Sequence, residues 1–417
     1  MAETDAISLG GGSTAFTVII FALVYLAMAL GKVPGFKVDR AGAALIGALA
    51  LLVADVIHEK EAWIAVDFAT MALLFGLMVV SAQFTMSGFY TAVTERLATV
   101  EASPVVLLGV IVFAVGTLSA LLTNNVVAVA MAPLLVNACA ARRLNPVPFL
   151  LALGFAANAG SVATIIGSPQ NMIIATRLNL PFVEYTVATI VPAAFALVVV
   201  WAVLALLYRG RWVRETRSGL PVAAIPFNRG EATKGLVVAA LVLCAFIFTG
   251  ANRVHVALAA AGVLLLNRRF ASRDMLREVD GGLLIMLFGL FIVNAAFAAT
   301  GLPDQVISAL SGRGVDLTNS GWVFALAAAL SDIVGNTPAA ILLGPYIDGI
   351  PDGIAVTLAS GFSSNLIVFG SLATIIVVEA AKERGVVISF GEFSRAGVPI
   401  ALVTLAFGFL WVMLVVQ

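Results

Sequence analysis

Two short polar clusters stand inside otherwise apolar sequence, and they match each other. Thr123, Asn124 and Asn125 lie in LSALLTNNVVAVAMAP (118–133), while Gly335, Asn336 and Thr337 lie in LSDIVGNTPAAILLGP (330–345). Aligned without a gap, the stretches share Leu118/Leu330, Ser119/Ser331, Asn124/Asn336, Ala128/Ala340 and Pro133/Pro345. An amide or hydroxyl removed from water costs about 1–3 kcal/mol when it stays unsatisfied. A partner peptide, water or a carried solute must therefore meet these groups, and the duplication suggests two halves contributing to one binding site.

A second pair of segments carries the same chemistry. LALGFAANAGSVATIIGSPQNMIIA (151–175) has the hydropathy of a membrane span, yet Gly154, Gly160, Gly167 and Pro169 interrupt it, with Asn158, Ser168 and Asn171 beside the breaks. ASGFSSNLIVFGSLATIIV (359–377) echoes it: Phe362, Asn365, Gly370 and Ser371 answer Phe155, Asn158, Gly167 and Ser168, with four fewer residues between the Asn and the Gly-Ser pair. Irregular backbone survives in a membrane only where it is buried in protein or lines a cavity, and discontinuous helices at the midplane are the usual transporter site. The candidate solute contacts are Thr123, Asn124, Asn125, Asn158, Ser168, Asn171, Gly335, Asn336, Thr337, Asn365 and Ser371. Nothing basic is among them, so a neutral polyhydroxylated solute or an ion pair fits best. Helix N-termini could still hold an anion without basic side chains, and carbonyls at helix C-termini beside Asn124 and Asn336 could coordinate sodium.

Asp332 is the one carboxylate placed within the membrane away from a span end, four residues before Asn336 and hence on the same face of a helical arm. Acids inside a membrane are expensive and usually functional. Loss of water favours the protonated form of a carboxylic acid, which suits a proton carrier. The matching position in the first stretch is Ala120, so the role would be asymmetric.

The elements that must position these groups are membrane helices. Of 417 residues, 61% are hydrophobic and only 11% charged, and the mean hydropathy is +1.09. Apolar runs of the length that crosses about 30 Å of hydrocarbon as helix fill the chain, so it reads as an all-α polytopic membrane protein with no soluble domain. The first residues carry no basic stretch before an apolar run, so no cleaved signal peptide is expected. Two cysteines, Cys139 and Cys244, cannot make a disulfide framework or a trithiolate site for a soft metal ion. With no histidine inside a span and one intramembrane acid, the chain lacks the paired nucleophile and base of an intramembrane enzyme, and no cofactor, resident metal or nucleic-acid partner is expected.

An internal duplication orders the whole. VDFATMALLFGLMVVSAQFTMSG (66–88) and VDGGLLIMLFGLFIVNAAFAATG (279–301) align without a gap, sharing Asp67/Asp280, Phe75/Phe288, Gly76/Gly289, Phe84/Phe297 and Gly88/Gly301. The layout is a tail at 1–13, a first repeat at 14–208, a basic cytoplasmic linker at 209–233 and a second repeat at 234–417. Each repeat contains five transmembrane helices, one of them broken, plus a re-entrant helical hairpin carrying the TNN or GNT tip. An odd number of crossings inverts the second repeat and puts both chain ends outside. Only Lys60, Arg177, Arg253 and Arg313 of the 23 Lys and Arg residues then fall outside, the bias expected of an inner-membrane protein of a prokaryote. Tips entering from opposite faces would bring Asn124 and Asn336 together near the midplane.

At these residues the chain resembles the ion-transporter superfamily that groups arsenite permeases of the ArsB type, NhaD-type sodium/proton antiporters and divalent-anion/sodium symporters. The resemblance covers nearly the whole chain and rests on the Asn-containing tips TNN (123–125) and GNT (335–337) and the paired GSPQN and GSLAT segments. It implies that Asn124, Asn125, Asn336 and Thr337 bind ion and solute, although neither tip is the strict Ser-Asn-Thr of the symporters. It implies a secondary transporter working by alternating access between bilayer faces. The compact layout is similar to the arsenite permeases, which implies arsenite or antimonite efflux coupled to proton entry, with As(OH)3 held neutral through hydroxyls. The alternative is sodium- or proton-coupled transport of a small carboxylate or inorganic anion of the citrate, dicarboxylate or sulfate type. By resemblance a homodimer is common among the anion symporters, and both the oligomeric state and an ATPase partner are left open.

Overall fold

A computed structural model describes residues 14–213 and 225–416. The expected tail at 1–13 and the middle of the basic linker lie outside the described residues. Within them are 20 α-helices and no strand beyond two isolated bridges.

Sixteen of the helices form two series of eight in which each member of the first has a counterpart in the second. The first series is α1 (Thr14–Leu30), α2 (Arg40–Val53), α3 (Phe68–Met86), α4 (Pro104–Leu121), α5 (Asn124–Ala141), α6 (Pro146–Ser161), α7 (Pro169–Arg177) and α8 (Phe182–Leu207). The second is α9 (Arg229–Phe248), α10 (Arg253–Leu265), α11 (Gly281–Ala298), α12 (Ser320–Val334), α13 (Asn336–Leu343), α14 (Gly349–Ser363), α15 (Leu372–Glu383) and α16 (Phe390–Trp411). Local chemistry explains the matching starts. Asp67 accepts from Thr70 N at 2.9 Å to cap α3, and Asp280 accepts from Leu283 N at 2.9 Å to cap α11. Each satisfies one of the four backbone donors that a helix leaves open at its start.

Among the described residues, seven helices are long and apolar enough to cross a membrane, α3, α4, α5, α8, α9, α11 and α16 with its closing turn, and α1, α2, α6, α10 and α12 are shorter apolar helices. Val56 and Ile57 are buried but lie beyond the end of α2, and Leu266 lies beyond α10. The broken segments divide as expected, α6 from α7 across 162–168 and α14 from α15 across 364–371. The second arm of the first hairpin, expected as a short run, is an 18-residue helix, α5.

The two series are interlocked, not side by side. α2 packs on α11 and α10 packs on α3, so each series lends its second helix to the third helix of the other. Glycine permits both crossings: a methyl on Gly76 would stand 2.7 Å from the Ala257 backbone, and one on Gly289 would stand 2.5 Å from that of Ala44. The same exchange recurs deeper in. The second arm of each hairpin rests on the second half of the other series' broken helix, α5 on α15 and α13 on α7.

Candidate functional site

This exchange brings four helix starts to one cavity. It is lined by Asn124 and Asn125 opening α5, Pro169 and Gln170 opening α7, Asn336, Thr337 and Pro338 opening α13, and Ser371 and Leu372 opening α15; Arg40, Met286, Val334, Gly335 and Gly370 complete the wall. Its volume is about 30 Å³, room for one or two waters. A larger solute would have to part these elements. Each helix start carries the positive end of a macrodipole of about half a charge, which favours an anion, although Asn125 N and Ala373 N are already met by Asn124 Oδ1 and Ser371 Oγ.

Proline helps to place one of these starts, because Pro169 sits at the beginning of α7 where its missing N–H leaves no bond unmade. The second hairpin turns on Gly335, whose φ of +95° is open to glycine and strained for other residues. That turn overturns one expectation. Asp332 and Asn336 do not share a helix face, because α12 stops at Val334 and α13 starts afresh at Asn336. Asp332 lies instead in the last turn of α12, its Oδ1 2.9 Å from where a methyl on Gly370 would sit. That oxygen has no hydrogen-bond partner among the described residues.

Behind the tips, asparagines join the two series. Asn158 Nδ2 donates to Asn365 Oδ1 at 3.0 Å, and Asn158 Oδ1 accepts from Ser371 Oγ at 2.9 Å and from Asn124 Nδ2 at 3.5 Å. Asn336 Nδ2 donates to Ser364 Oγ at 2.7 Å, and the Asn336 Oδ1 has no donor among the described residues. Asn124 Oδ1 accepts from the Asn125 backbone at 2.9 Å. The chain around the first break is buried throughout, and four successive carbonyls there are met by side chains. Asn171 Nδ2 donates to Ser161 O and Thr164 O at 2.9 and 3.0 Å, Tyr185 to Val162 O at 3.1 Å, and Thr189 to Ala163 O at 3.1 Å.

The expected contacts thus fall into three groups. Asn124, Asn125, Gly335, Asn336, Thr337 and Ser371 line the cavity. Asn158 stands behind it, tied to Asn124 and Ser371, and Asn365 is tied in turn to Asn158. Thr123, Ser168 and Asn171 are buried away from the wall; Asn171 serves the broken backbone, while Thr123 Oγ1 and Ser168 Oγ have no partner among the described residues.

Sequence reasoning missed Gln170 and, with more consequence, Arg40. The expectation that nothing basic belongs to the site is corrected: Arg40 lines the cavity. It closes a basic connection and so reads as part of a loop, but Asp39 caps α2 by accepting from Gly42 N at 2.8 Å, which makes Arg40 the first helical residue.

Comparison with known proteins bears on what such a site serves. A family model described as a citrate transporter matches residues 16–355. An uncharacterized transporter of Mycobacterium tuberculosis is 30% identical over 427 residues, covering 94% of this chain and 97% of that protein. The silicon efflux transporter of Oryza sativa subsp. japonica is 24% identical over 465 residues, covering 94% of this chain and 96% of that one. Among solved structures, the YdaH transporter of Alcanivorax borkumensis, described as having an unusual topology, matches with a TM-score of 0.60 over 96% of both chains at 15% identity. At that identity the likeness is one of fold.

Proposed function

We propose that this chain, which belongs to the citrate transporter family and is a secondary transporter in a membrane, carries a small oxygen-rich anion, a carboxylate or an inorganic oxyanion. The observation that carries this reading is the convergence of four helix starts on the cavity between the hairpin tips. Fixed N–H groups and aligned dipoles favour negative charge and need no reorganisation when the solute arrives. Asn124, Asn125, Gln170, Asn336, Thr337 and Ser371 would supply side-chain hydrogen bonds, with Asn158 and Asn365 holding the tips in register.

Efflux of neutral arsenite or antimonite is the second reading. It rests on the hydroxyl and amide character of the wall and on the likeness to a silicon efflux transporter. In either case Asp332 is proposed as the proton carrier, since its Oδ1 beside Gly370 has no partner to hold it. Sodium at the unpartnered Asn336 Oδ1 is the competing coupling. Alternating access follows from a cavity enclosed by elements of both series, which must separate on one side at a time.

The test is uptake into everted vesicles of citrate, succinate, sulfate and arsenite, first under a proton gradient and then under a sodium gradient. Proton-driven accumulation of an anion with arsenite inert is the expected result. Arsenite accumulation with the anions inert would replace this reading by the second.

A further inference from the structure

Arg40 occupies an unfavourable place for a cation. It is the first residue of α2, at the positive end of that helix's dipole. Its side chain is also partly buried, bonded through Nε to Met28 O. A cation kept at that end of a helix and partly out of water calls for a compensating role.

Its counterpart shows what a purely structural arginine does at the same position. Arg253, the first residue of α10, donates Nη1 to Leu180 O at 2.8 Å and Nη2 to Ala175 O at 3.4 Å, tying α10 to the last turn of α7 and the loop after it. Arg40 commits only Nε, to Met28 O at 2.9 Å in the last turn of α1. Its Nη groups have no hydrogen-bond or ion-pair partner among the described residues, and Arg40 lines the cavity where Arg253 does not. A guanidinium anchored by one N–H keeps a planar pair of donors for a carboxylate or oxyanion, in the fork geometry that gives bidentate pairing.

We infer that Arg40 is the charge-reading residue of the transport site, pairing through its free Nη groups with one anionic group of the solute while the helix starts hold the rest. The inference rests on the anion reading above and adds to it a specificity-determining side chain contributed from outside the hairpins and broken helices.

The test uses the full-length protein in proteoliposomes, with initial uptake of sulfate, succinate and citrate measured over a concentration series, and arsenite as the uncharged solute. Arg40→Gln is expected to raise KM for the anions at least tenfold with the maximal rate little changed, the pattern of a lost binding contact. Arg40→Lys, which keeps the charge but loses the fork, is expected to fall between. Arg253→Gln is expected to lower the yield of folded protein without shifting anion KM. If Arg40→Gln folds poorly, Arg40→Lys carries the test through its KM. Anion KM within twofold of the wild type in the folded variants, or an equal loss of maximal rate with KM unchanged, overturns the role of Arg40 and leaves the anion reading standing. A wild-type protein that carries only arsenite overturns both.

Discussion

Asn158 and Asn365, which occupy matching places in the two broken helices, donate and accept a hydrogen bond to each other at 3.0 Å across 207 residues of sequence. The pairing is direct, amide to amide, so the two series meet through equivalent groups. It cannot be symmetric in detail, because one amide must donate where the other accepts. The remaining Asn158 oxygen accepts from Ser371 Oγ and Asn124 Nδ2, so one side chain touches the other broken helix and its own hairpin tip. A shift of either broken helix is therefore felt at the cavity wall.

Removing either amide leaves its buried partner unmet, a loss of about 1–3 kcal/mol. Asn158→Ala and Asn365→Ala should each lower thermal stability in detergent by that order, and the double variant by less than the sum of the two. Strict additivity in the double-mutant cycle would mean that the two asparagines do not act as a pair.

Asp332→Asn keeps the shape of the side chain beside Gly370 and removes its proton exchange. The variant should bind solute as well as the wild type but lose accumulation driven by a pH gradient, and its uptake should become flat with pH. Uptake that still follows pH would assign coupling to another group.

The glycine crossings give a stability test away from the site. Gly289→Ala places a methyl 2.5 Å from the Ala44 backbone, where nothing can yield without moving α2 off α11. A loss of about 1–3 kcal/mol is expected for such overpacking. Gly262→Ala, with nothing within 4 Å of the added methyl, is the control and should be neutral or better. Equal melting temperatures for the two variants would contradict the interlocked packing.

Much of this arrangement is legible in the amino-acid sequence. Asp67/Asp280 and Gly76/Gly289 recur without a gap because each pair does the same backbone work twice, a cap and a close crossing, and such work tolerates few residue types. The hairpin tips were legible because Asn beside apolar runs has an obvious desolvation problem. What escaped was tertiary. Arg40 follows a basic loop, and only the packing of α2 in the tertiary fold brings it to the cavity. The spacing of Asp332 and Asn336 promised one helix face, but Gly335 breaks the helix between them. The exchange of α5 onto α15 and of α13 onto α7 leaves no mark in local sequence, since it pairs helices far apart in the chain.

The central claim is that the two hairpin tips, Asn124 and Asn336, hold one solute between them. Its most direct test is uptake by Asn124→Ala and Asn336→Ala proteins of matched folded yield, each in proteoliposomes with the solute that the wild type accumulates. Each single variant is expected to lose transport by tenfold or more while remaining monodisperse and folded. Near-normal uptake by both would contradict it, and the polar tips would then be satisfied by the protein alone.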